Sequence, residues 1–123
     1  MTKKKKTVER SKYKRYRVPK GVYVGVRPDY EKVGQIIDIS MEGLAFSYLP
    51  TKKRSNRPSE LDIFLSGDNF RLEKVPFETV SDFVLNEVPF SGIRRCSVRF
   101  RDLTDSQRSQ LDYFIQNHTL GEV

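Results

Sequence analysis

Residues Gly34 to Tyr48, GQIIDISMEGLAFSY, decide how the chain is read. Gln35 to Ile39 is apolar and β-branched, as a buried strand requires, and Leu44 to Tyr48 resumes an apolar pattern. Between the two runs, Asp38, Ser40 and Gly43 supply turn chemistry. Asp and Ser side chains hydrogen-bond the nearby backbone, and Gly tolerates positive φ where a chain reverses. The stretch therefore predicts a β-hairpin. Asp38 and Ser40 stand two residues apart, which puts both on one face of the incoming strand. A carboxylate, a hydroxyl and a bare glycine backbone then share one corner. Such a corner accepts hydrogen bonds from the donor edge of a planar base; it also serves simply to hold a hairpin together.

Working outward, Val22 to Val26 has strong β propensity, and Pro28 to Glu31 reads as a turn before Val33. Downstream, residues 50–59 (PTKKRSNRPS) are breaker-rich and predict a loop, with Lys52, Lys53, Arg54 and Arg57 as a small basic patch. Glu60 to Leu65 alternates polar and apolar, and Phe70 to Val75 alternates again after a Ser-Gly-Asp-Asn turn. Pro76 predicts an edge or a bend before β character resumes over Phe77 to Leu85. In Ile93 to Phe100, Cys96, Val98 and Phe100 fall on one face and Arg95, Ser97 and Arg99 on the other. Thr104 to Gln107 is a capping box, and Leu111, Phe114 and Ile115 form an apolar stripe at helical spacing. The expected fold is mainly all-β: a small six-stranded antiparallel β-barrel with one C-terminal α-helix, residues 105–117. One domain is expected over residues 9–120, preceded by a disordered basic arm, residues 1–8.

The net charge of +7 over 123 residues is unevenly placed. Residues 1–20 carry ten Lys or Arg against Glu9 alone, while the rest carries 13 basic and 15 acidic side chains. The positive excess therefore sits in the arm, which points to an anionic partner there. Tyr13 and Tyr16 interleave with the charges from Arg10 to Arg17, a combination that suits phosphates and stacked bases. No apolar run reaches the roughly 20 residues of a membrane span, and the polar start does not read as a secretory signal. The one cysteine cannot form an internal disulfide, so a cytoplasmic, bacterial-type location is the expectation.

Catalytic chemistry is not expected. One His and one Cys do not make a metal set, Cys96 sits on an apolar strand face, and no Gly-rich loop bridges a strand to a helix.

The barrel-like order, the Asp38-x-Ser40-x-x-Gly43 hairpin and the basic segment before the first strand together resemble the PilZ family. The resemblance runs from Glu9 to about Thr119. It implies a six-stranded barrel with a C-terminal helix and a receptor for the bacterial second messenger cyclic di-GMP, with no other cofactor. The family's second motif matches in full. Its first, Arg-x-x-x-Arg, does not: Arg15 is the natural second arginine, and Ser11 stands at its partner position, while Arg10 and Lys14 have the spacing one residue earlier. The resemblance implies a ligand set of Arg10, Lys14, Arg15, Arg17, Asp38, Ser40 and Gly43. Asp38 would accept from guanine, Ser40 would donate to the ligand, Gly43 would permit close approach, and the arginines would clamp phosphates and a guanine face. Ordering of the arm would then signal to a protein partner in motility, adhesion or secretion. Two other readings stand beside it: a PilZ-like adaptor that binds protein and no nucleotide, and a barrel that binds single-stranded nucleic acid through the arm and the 52–57 loop.

Overall fold

Each alternating run becomes a strand in the computed structural model, which describes residues 13–51, 59–67, 69–86 and 91–123. The strands are β1 (Tyr16–Arg17), β2 (Val22–Val26), β3 (Val33–Ile39), β4 (Gly43–Tyr48), β5 (Glu60–Leu65), β6 (Arg71–Val84), β7 (Arg94–Phe100) and β8 (Gly121–Glu122), with α1 (Asp105–His118) between β7 and β8. The expected arm over residues 1–8, Arg10 and the basic 52–57 loop lie outside the described residues. The antiparallel order β2-β5-β6-β7-β4-β3 closes through a β2–β3 pairing, which makes the six-stranded barrel. Its interior holds the inward residues of every strand, among them Val22, Val24, Ile39, Leu44, Phe46 and Val98.

The helix follows its sequence signals. Thr104 Oγ1 accepts from Gln107 N at 3.0 Å, and Gln107 Oε1 accepts from Thr104 N at 3.0 Å. The amide of Gln107 also donates to the carbonyls of Glu73 and Lys74, fixing the helix start to β6. Leu111, Phe114 and Ile115 are buried in the barrel's own cluster. At about 1.5–3 kcal/mol per apolar side chain, that face supplies most of the docking free energy.

Two expectations are corrected. Pro76 does not interrupt a strand: β6 runs through it. The position lies where β6 changes partner, residues 71–76 pairing with β5 and 77–84 with β7. Proline's missing N–H is tolerated there, and its carbonyl still accepts from Arg101 N at 2.9 Å. Nor does Gly43 serve by positive φ, the conformation seen instead at Gly21, Gly67, Gly92 and Gly121. A Cβ on Gly43 would stand 2.2 Å from the Val98 carbonyl oxygen, and one on Gly34 would stand 1.7 Å from that of Ser47. Both glycines let backbones close on the quoted hairpin.

Two carboxylates tie the barrel elsewhere. Fully buried Asp62 on β5 accepts from Arg27 Nε at 2.8 Å, from the Tyr30 hydroxyl and from Lys74 N at 2.9 Å. Asp82 on β6 accepts from Tyr48 Oη at 2.7 Å, Arg94 Nε at 2.9 Å and Lys32 Nζ at 3.1 Å. Burial pushes each carboxyl up, but the hydrogen bonds together outweigh it and hold both below the ordinary aspartate value.

Gly43→Ala is expected to cost about 2 kcal/mol, read as a lower urea midpoint at unchanged slope, because backbone cannot yield to the new methyl. A depressed folded pKa gives stability that is complete above the unfolded value of about 3.9 and lost as pH falls through the folded value. Wild-type stability should therefore drop steeply below about pH 4. Asp62→Asn should cost about 2 kcal/mol at pH 7 and flatten that drop in urea titrations at pH 7 and pH 3.

Candidate ligand-binding site

The chemistry gathers where β3 changes neighbours. β2 pairs with Val33 to Gln35, and β1 with Asp38 and Ile39, on the same edge of β3. The hand-over coincides with a register shift between Ile36 and Asp38, which turns the Asp38 carboxylate to the outer face opposite Ala45. β1 sets Arg17 directly across from Asp38. Arg15 Nη1 donates to Asp38 Oδ1 at 2.6 Å. From β7, Arg95 Nη2 lies 3.8 Å from Asp38 Oδ2. Asp38 is 6% exposed, so its charge is met by guanidinium rather than by water. The side chain of Arg17 is exposed and makes no hydrogen bond or ion pair among the described residues.

The remaining expected ligands fall elsewhere. Ser40 is 1% exposed; its hydroxyl accepts from Glu42 N at 3.1 Å and points toward the Gly43 carbonyl oxygen at 3.4 Å. It shapes the turn that presents Asp38. Lys14 does not join the arginines. Its ammonium pairs with Glu122 at 3.0 Å, whose hydrogen bond and charge raise its pKa. Lys14 lines a cleft of about 580 Å³ between Tyr13, Tyr16 and Met41 on one side and Ile115 and Gln116 of α1 on the other. The two faces of the arm therefore look at different things.

Residues 13–17 are held in place in this structure. β8 pairs with the free edge of β1, and the Arg15 and Arg17 carbonyls accept from Val123 N at 2.9 Å and Leu120 N at 2.8 Å. Arg95 was not among the residues expected at the site. The alternation along 94–100 put it on the polar face, but only the pairing of β7 with β4, and of β4 with β3, carries it to Asp38.

Among the described residues no group of His, Cys, Asp and Glu could hold a metal ion. Cys96 is buried, and that burial pushes its thiol up to about 11, so it is a core residue rather than a nucleophile. No helix of the described residues is long and apolar enough to cross a membrane.

The family model for the PilZ domain matches residues 9–117. The chain belongs to the PilZ domain family. Solved structures agree on the fold. The PilZ domain of YcgR from Escherichia coli, with c-di-GMP, superposes at TM-score 0.66 and 15% identity, over 89% of this chain and 92% of that one. MrkH of K. pneumonia, in complex with c-di-GMP, gives 0.66 at 16% identity over 89% of this chain and 52% of its own. The Bacillus subtilis inhibitor of motility MotI gives 0.58 at 20% over 89% and 51%. This PilZ chain thus spans about half the length of MrkH and MotI. No curated protein matches it in sequence.

The Arg15–Asp38 pair has one partner buried and one half exposed, which places its coupling between surface and interior values. A double-mutant cycle with Arg15→Ala and Asp38→Ala, followed by urea unfolding, should return a coupling of about 1–2 kcal/mol.

Proposed function

We propose that this PilZ chain is a receptor or adaptor that binds cyclic di-GMP on the outer face of β3, β4 and β7 and signals through its N-terminal basic arm. The observation that carries the reading is that Arg15 and Arg95 pair with Asp38 while Arg17 stands directly across from it on β1. Three guanidiniums against one carboxylate leave two positive charges, the complement of a ligand with two phosphodiesters. Asp38 would accept from the N1–H and N2–H₂ donors of one guanine. Arg17, whose side chain has no partner among the described residues, would take a phosphate. Arg15 would pass from the Asp38 carboxylate to the ligand, so that binding pulls on β1 and on the β8 strand paired with it. Ser40 and Gly43 would act by holding the hairpin. Arg10, at the start of the arm, would add a further cation. A cytoplasmic protein partner in motility, adhesion or secretion would read the change.

A second reading, a PilZ-like adaptor that binds no nucleotide, is favoured by a specific pair of facts. The Asp38 carboxylate is already met by Arg15 and Arg95, and Ser11 stands where the family motif has arginine.

Isothermal titration separates the two. Cyclic di-GMP should bind the wild-type chain with a dissociation constant below about 100 μM, weaken about tenfold with Arg17→Ala, and show no heat with Asp38→Ala. Arg17→Ala should leave the thermal midpoint unchanged. No heat from folded wild-type protein at that concentration establishes the adaptor reading instead.

A further inference from the structure

We infer that the site extends across the barrel to β6, where Phe83, with Arg95 beside it, forms the seat for the second base of the ligand. This rests on the cyclic di-GMP reading above.

The strand register supplies the argument. Asp38 on β3 is opposite Ala45 on β4, Ala45 is opposite Ser97 on β7, and Ser97 is opposite Ser81 on β6. These side chains form one row across the outer face. The next outer row runs Gln35, Ser47, Arg95, Phe83. Between Asp38 and Phe83 lie the small side chains of Ala45, Ser47, Ser97 and Ser81, with Arg95 next to Phe83. Three strand spacings separate β3 from β6, about 14 Å. The guanines of an extended cyclic dinucleotide lie on opposite sides of its ring, and two anchors at that separation accept them both. A single base cannot touch the two.

Phe83 has the character of a stacking surface. It is 47% exposed and its ring contacts no other aromatic ring among the described residues. Arg95 pairs directly with it across the ladder. The guanidinium of Arg95 makes no hydrogen bond among the described residues, and its one ion pair, with Asp38, is loose at 3.8 Å. Its donors are free for the O6/N7 edge of a guanine lying on the ring, or for the phosphate between the two bases. An exposed aromatic with an unspent fork beside it and a flat floor leading to a carboxylate suits a purine.

The chain has no tryptophan, so Phe83→Trp makes a single reporter at this seat. Cyclic di-GMP should quench its emission, with the same affinity measured calorimetrically. Phe83→Ala should weaken binding about tenfold, equivalent to about 1.4 kcal/mol, with the thermal midpoint unchanged. Binding by the wild-type chain that Asp38→Ala abolishes, with full affinity in Phe83→Ala and no quenching in Phe83→Trp, overturns the second seat alone and leaves Phe83 as a surface for protein contact. No binding by the wild-type chain removes the nucleotide reading and the second seat together.

Discussion

β3 must satisfy two strands along one edge, and much of the molecule follows from that. Its other edge belongs to β4 throughout. Its open edge closes the barrel by pairing with β2 over Val33 to Gln35, and then the two strands diverge. Beyond the register shift at Ile36 and Asp38 the backbone groups of β3 need new partners, because an unpaired buried edge is costly. Residues Tyr16 and Arg17 provide them, and β8 in turn covers the outer edge of those two. A requirement of sheet closure thus brings residues 15–17 to the Asp38 carboxylate on the outer face of the hairpin.

The same arrangement divides β1 between two faces. On one, Arg15 bonds Asp38 and Arg17 stands opposite it in register; on the other, Lys14 and Tyr16 line a cleft against α1. A ligand that competes for Arg15 changes the restraint on a segment shared with the helix and with β8. Such coupling needs no long chain of intermediates, since the shared element is two residues wide. The carboxylates differ accordingly. Asp62 and Asp82 each take three donors from the barrel itself and act as ties. Asp38 has one close donor just before a short strand and one loose partner, the arrangement that a stronger partner can replace.

Sequence reasoning was strongest where periodicity and turn chemistry carry the information. Val22 to Val26 and Glu60 to Leu65 are strands with the expected bounds, Gln35 to Ile39 lies within β3, and the Thr104 capping box starts the helix. It was weaker where one element serves two neighbours. Pro76 looks like a break until β6 is seen to change partner there. Two-residue strands such as Tyr16–Arg17 and Gly121–Glu122 have no period to detect. Gly43 reads as a turn residue suited to positive φ, but its reason is the Val98 carbonyl on a strand more than fifty residues away.

By itself, the sequence determined the barrel class, the hairpin that carries Asp38 and the concentration of cations in the arm. These are local properties: alternation, turn residues and charge along the chain. Tertiary structure alone decided which cations reach Asp38. It took Arg15, set Arg17 opposite in register without a bond, turned Lys14 toward Glu122, and added Arg95 from a strand two ladders away. The physical reason is register. A residue's face is written in its own strand, but its neighbours are set by how strands align, and that alignment depends on the closure of the whole barrel.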